Sequence, residues 1–249
     1  MNAAERVAGA LCAMWRARTS ALGGSVFEDD GLVTCITGLS FPPFNPSLVE
    51  RMPRDPVAAL SAAERHHLAV GLRFGINLDV ELHRDVRTTA RSAGLRVIQT
   101  EPGMVVRPLE LSEPPVPAGV AIDPAGDRLE EVAAVVTEGF GGDLSINRGF
   151  VAPAVFEDPR ARIFLASLDG EPVATVETWL QDGVLGVFGV ATVPGARRRG
   201  IAAAITAHAI RERAGEADLA FLQSSAMGHG VYRSIGFRAV STWEVWARA

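Results

Sequence analysis

One short run, Val193-Pro194-Gly195-Ala196-Arg197-Arg198-Arg199-Gly200-Ile201-Ala202, couples a strand to a helix through a tight turn. Valines dominate the stretch Val184–Val190 before it, and Ile201, Ile205 and Ala209 recur at helical spacing after it. A helix that opens from such a turn leaves its first backbone N–H groups unpaired at the positive end of the helix dipole. A phosphate or pyrophosphate is favoured there. The only tyrosine of the chain, Tyr232, follows in Gly230-Val231-Tyr232-Arg233-Ser234-Ile235-Gly236-Phe237, which reads as a short helix entering a last strand. A phosphate cradle followed by a single phenol points to transfer chemistry on a phosphorylated carrier.

Composition narrows the alternatives. All 24 basic residues are arginine, which excludes a Schiff-base lysine and a P-loop lysine. The net charge of −5 argues against a dedicated nucleic-acid binder or a binder of anionic membranes. With 48% hydrophobic residues over 249 positions, the chain can bury a substantial core in one large domain or two ordinary ones. Cys12 and Cys35 fit no metal spacing, and His66, His67 and His83 form no metal motif, so no metal is expected. No apolar run reaches membrane-spanning length, and the start lacks a signal pattern. The expectation is a soluble, cytoplasmic protein.

Pro102, Pro108, Pro114, Pro115 and Pro117 mark an extended connector, which sets an expected boundary between domains at 1–114 and 115–249. In the first part we expect a helix over 3–18, strands near 25–28 and 32–37, and a helix over 61–70 capped by Ser61 with Glu64. A strand near 74–80, a helix over 83–92 and two strands near 95–100 and 104–109 follow. In the second part we expect a strand at 120–122 and a helix over 127–140 whose Leu129, Val132, Val136 and Phe140 face the core. Partial helix over 143–156 then leads into a three-strand meander at 162–168, 173–180 and 184–190. A helix over 198–213, a buried strand at 219–223, a short helix over 227–234 and a strand over 237–246 complete the chain, with no internal sequence repeat.

The second part resembles the GNAT superfamily of acyl-CoA-dependent N-acyltransferases. Arg197-Arg198-Arg199-Gly200-Ile201-Ala202 matches its carrier motif R/Q-x-x-G-x-G/A, and Ser224-Ser225 with Tyr232-Arg233-Ser234-Ile235-Gly236-Phe237 matches its second signature. The resemblance covers roughly residues 115–249 and implies an α+β fold, a mostly antiparallel central sheet flanked by helices. The first part is similar in element order to the degenerate partner half of tandem members, and it lacks both motifs.

The resemblance implies an acetyl-CoA-dependent N-acetyltransferase acting by direct transfer to an amine. Backbone N–H groups from Arg198 to Ala202, with Ala203 beyond them, would hold the pyrophosphate, and Arg197, Arg198 and Arg199 would add charge-assisted bonds. Val190, Ala191 and Thr192 would pair with the pantetheine arm, the Val190 N–H polarising the thioester carbonyl. Tyr232 is the candidate general acid. Ser225 is placed to bond the carrier arm or Tyr232, or to cap the following helix. Glu177 leads as general base although a solvent-facing position is its ordinary expectation, with His229 and Glu138 behind it. A non-catalytic acyl-CoA sensor on the same fold is the alternative. The acceptor amine and the oligomeric state stay open at this point.

Overall fold

The computed structural model describes residues 2–248 and divides into two compact units. One runs to Gly103 and takes in the chain again from Ala239; the other is Met104–Arg238. The expected boundary near residue 114 falls within the second unit.

The first unit opens with helix α1 (Ala3–Ala21), started by a capping box in which Asn2 and Glu5 satisfy each other's backbone N–H groups. Strands β1 (Ser25–Asp29), β2 (Leu32–Ile36) and β3 (Ser47–Val49) follow, then helix α2 (Pro56–Ala69), β4 (Gly75–Asp79), helix α3 (Arg84–Ser92) and β5 (Leu95–Val106). Two expectations are corrected here, and one strand is added. Helix α2 begins at Pro56 and not at Ser61, because Asp55 caps it and proline suits the first helical position; the Ser61 hydroxyl donates to the Val57 carbonyl inside the helix. The two strands expected at 95–100 and 104–109 are one, since Pro102 is compatible with extended backbone and forfeits only a donor. The short strand β3 carries no alternation long enough to be read in advance.

The second unit holds β6 (Val120–Pro124), helices α4 (Leu129–Phe140), α5 (Leu144–Phe150) and α6 (Pro153–Phe156), and the meander β7 (Ala161–Leu168), β8 (Glu171–Gln181) and β9 (Val184–Thr192). Helix α7 (Ile201–Arg211), β10 (Leu219–Gln223) and helix α8 (His229–Ser234) complete it. The last strand, β11 (Arg238–Arg248), returns to the first unit and pairs antiparallel with β4, Trp243 opposite Asp79 and Val245 opposite Asn77. Strands β6 to β9 form an antiparallel ladder, and β10 joins β9 in parallel. The fold is therefore mixed α/β, with mostly antiparallel pairing and helices on the sheet faces.

Two cores flank the ladder of the second unit. One gathers Ile201, Ile205, Ala209 and Ile210 of α7 with Phe164, Val176, Leu185 and Tyr232. The other gathers Val132, Ala133 and Val135 of α4 with Ile163, Leu165 and Ala191. Phe140, expected inside, is 65% exposed. The last turn of α4 approaches the sheet so closely that glycine takes the inward position: a Cβ on Gly139 would lie 2.9 Å from the Ala191 Cβ. Phe140, one residue on, is carried about 100° around the helix to solvent.

The units share a topology that their sequences do not announce. In each, an antiparallel pair (β2–β3, β8–β9) is followed by a crossover helix (α2, α7) and a parallel strand (β4, β10). A short helix (α3, α8) and a further strand come next.

His83, at the start of α3, is fully buried, and its Nδ1 accepts from the Asp79 N–H, which leaves the proton on an Nε2 without a partner. Burial pushes this imidazole down from 6.5 to about 4, the charge of Asp79 opposing it. The folded value lies below the unfolded one, so the unfolded chain takes up the proton first as pH falls. The contribution is complete above about 6.5 and drains away toward pH 4, on the order of 3 kcal/mol. Ring-proton NMR should show His83 titrating near 4, and the stability gap between wild type and His83→Leu should narrow over that interval. A midpoint near 6.5 would contradict this assignment.

Candidate functional site

The turn after β9 is a single 3-10 turn at Pro194–Ala196, followed by two left-handed residues, Arg198 (φ 62°) and Gly200 (φ 82°). A left-handed arginine costs about 1–2 kcal/mol, so the surroundings must impose it. Helix α7 starts at Ile201, later than the Arg198 expected, because these two conformations cannot belong to a right-handed helix. Ile201 is buried and anchors the start in the core, whereas Arg198, Arg199 and Gly200 are exposed. Among the described residues, no group accepts from the backbone N–H of Arg198, Arg199, Gly200, Ile201, Ala202 or Ala203, and no side chain caps the helix. These donors and the dipole behind them form a concentrated positive site with two exposed guanidinium groups beside it.

Strand β9 leads into that site through an irregularity. Thr175 pairs with Ala191 and Glu177 with Phe188, so Val176 alone faces both Gly189 and Val190. Gly189 is left-handed (φ 57°), which accommodates the bulge. Pairing of β9 with β10 runs only from Val184–Leu219 to Gly186–Phe221. Beyond Gly186, β9 therefore has no ladder on its β10 side, and Val190, Ala191 and Thr192 lie in that part. Val190 packs against the core that contains Tyr232 and Ile201. Ala191 is buried under Gly139, and the Thr192 hydroxyl is buried without a partner.

Arg197 behaves unlike its neighbours. Its Nε donates to the Thr192 carbonyl at 3.0 Å and its Nη2 to the Gly139 carbonyl at 2.7 Å.

Tyr232 lies on α8, 8% exposed, its ring edge-on to Phe237 with centroids 5.9 Å apart. A Cβ on Gly228 would come within 2.8 Å of that ring and 3.4 Å of the Ser225 hydroxyl, so only glycine leaves room for the ring there. The Ser225 hydroxyl accepts from the Gly228 N–H at 3.1 Å, and the Ser225 carbonyl accepts from Gly228 and His229. Glu177 is buried, 4% exposed, which corrects the solvent-facing expectation. Its two cross-strand neighbours, Ile163 and Phe188, put it on an apolar face where Trp179, Gly186 and Phe221 form the next row. Glu138 is exposed on α4 and His229 partly so.

Sequence reasoning overlooked Gly139 and Gly228, where the chain packs too closely for a Cβ, and the left-handed Gly189. The Gly139-Phe140-Gly141-Gly142 run was the available signal for the first. A cavity of about 340 Å³ among α4, α5 and α6, lined by Leu129, Val151, Pro153 and Phe156 with Glu130 and Arg148 at its edge, shares no residue with this site.

The corresponding crossover helix of the first unit starts differently. The Asp55 carboxylate accepts from the Val57 and Ala58 N–H groups, the Asp30 carboxylate accepts from those of Arg54 and Asp55, and Pro56 has none. These backbone bonds, that from Asp55 foremost, hold the Asp30 carboxyl below the usual carboxylate range. That helix start is already saturated, and by negative charge.

Residues 135–237 match the model of the Acetyltransferase (GNAT) family. Among solved structures, a GCN5-related N-acetyltransferase from Kribbella flavida superimposes with a TM-score of 0.77 at 24% identity, over 100% of this chain and 96% of that one. A GCN5-related N-acetyltransferase from Sphaerobacter thermophilus gives 0.64 at 14% identity, over 98% and 93% of the two chains. A tandem GNAT protein from the clavulanic acid biosynthesis pathway gives 0.62 at 14% identity, over 87% and 77%. No protein of curated function matches. Among the described residues, no helix is long and apolar enough to cross a membrane, and no three ligand-type side chains gather as a metal site.

Proposed function

We propose that this acyltransferase, with a GNAT acetyltransferase domain at residues 135–237, moves an acetyl group from acetyl-CoA to a primary amine by direct attack. The observation that carries the proposal is the series of partnerless N–H groups from Arg198 to Ala203, at the end of a strand whose edge has lost its neighbour. The N–H groups suit a pyrophosphate, Arg198 and Arg199 suit the outer phosphates, and the open edge of β9 suits an amide-bearing arm. In this reading Val190, in the bulge, donates its N–H to the thioester carbonyl, a bond that strengthens as charge develops in the tetrahedral intermediate.

Nucleophilic attack by the amine forms the C–N bond and then breaks the C–S bond. The sulfur leaves as a thiolate, and Tyr232 gives it a proton or a hydrogen bond. Full transfer from an unperturbed phenol to a thiolate is uphill by about 2 kcal/mol, so partial transfer suffices. Glu177 receives the ammonium proton in this reading. Its burial on β8, the strand paired with β9, supports the role, because it places the carboxylate inside the protein beside the strand assigned to the carrier.

Calorimetry with acetyl-CoA followed by thiol release across a panel of amines tests the proposal. Micromolar binding and amine-dependent release are expected. Binding without release on a broad panel would favour an acyl-CoA sensor, and no binding would remove the donor assignment.

A further inference from the structure

We infer that Arg197 is a positioning residue that fastens the carrier-binding end of β9 to the end of α4, and that its guanidinium is not a phosphate ligand. The inference rests on the donor-site reading above and assigns a different job to one of its three arginines.

Three observations carry it. The Arg197 fork is already committed to two carbonyls, Thr192 at 3.0 Å and Gly139 at 2.7 Å, whereas the exposed side chains of Arg198 and Arg199 bond to nothing among the described residues. Gly139 lies in the last turn of α4, where carbonyls lack intrahelical partners and the dipole is negative, so a cation is favoured there. Helix end and strand end are in backbone contact: a Cβ on Gly139 would lie 3.3 Å from the Thr192 nitrogen and 2.9 Å from the Ala191 Cβ.

A physical need is met by this arrangement. Beyond Gly186, β9 has a partner on one side only, yet a backbone donor for a thioester must be held to within a few tenths of an ångström. Arginine can bond both carbonyls with one planar group, which a lysine point charge cannot reproduce.

The test uses Arg197→Met and Arg197→Gln, with Arg198→Ala as a charge control. Hydrogen exchange on the ligand-free protein should be faster in Arg197→Met over residues 187–193 and 136–141, and close to wild type in Arg197→Gln, which keeps N–H donors without charge. For acetyl-CoA binding, Arg197→Met should lose about tenfold or more with the salt dependence unchanged, while Arg197→Gln stays within about threefold. Arg198→Ala should reduce the salt dependence. Unchanged exchange in Arg197→Met overturns the inference, as does Arg197→Gln matching Arg197→Met with a weakened salt dependence. Failure of wild type to bind acetyl-CoA would reject the donor-site reading alone, because the exchange measurement decides the role of Arg197 without any ligand.

Discussion

Tyr232→Phe is expected to lower turnover by about 10²–10³ while acetyl-CoA affinity stays within about twofold. The substitution isolates the hydroxyl. The ring is 8% exposed, edge-on to Phe237 and close to Gly228, and phenylalanine keeps all of those contacts. Loss of the proton donor should then act on departure of the sulfur and not on association of the carrier, so kcat and kcat/KM fall together. Steady-state thiol release, paired with direct binding and a viscosity series to establish that chemistry limits the rate, measures this. Unchanged turnover under chemistry-limited conditions would remove Tyr232 from the mechanism. A large loss of affinity with normal turnover would make it a binding residue.

Local signals carried the second unit and failed in the first for identifiable reasons. The turn at 193–202 was legible because proline, glycine and a valine-rich strand each dictate backbone locally, and the meander was legible through Asp169-Gly170 and Asp182-Gly183, whose aspartates and glycines are all left-handed. In the first unit the decisive features are side-chain bonds to backbone groups across an irregular loop. Asn45 accepts from Thr37 and donates to the carbonyls of Leu39 and Phe41, while His67 bonds the Asn45 carbonyl, and together these fix the loop before β3. None of those residues forms a motif. The same limit applies to the site. Glu177 alternates correctly along β8, yet its burial depends on Ile163 and Phe188 of two other strands. The Arg197 side chain read as one of three phosphate ligands because its partners are carbonyls, to which sequence pattern is blind.

Gly200→Asp is expected to weaken acetyl-CoA binding by at least about 100-fold, near 2.7 kcal/mol, with the melting temperature little changed. The two crossover helices start in opposite conditions. Asp55 and Asp30 saturate the start of α2, whereas the N–H groups opening α7 have no partner. One acetyl-CoA per chain should therefore bind, and moving a carboxylate to the start of α7 should convert it toward the α2 condition. Gly200 is left-handed at 82°, a conformation aspartate tolerates better than most residues, and its Cβ would meet nothing closer than Pro117 at 3.8 Å. The backbone penalty of about 1 kcal/mol is offset in part by a negative group at a helix start. Repulsion of the pyrophosphate has no such compensation, although exposure and salt screen it to a few kcal/mol. Gly200→Asn imposes the same strain without the charge and should lose less than about tenfold. Calorimetry on the three proteins decides: equal losses for Asn and Asp would assign the effect to strain, and no loss for Asp would move the phosphate site away from α7.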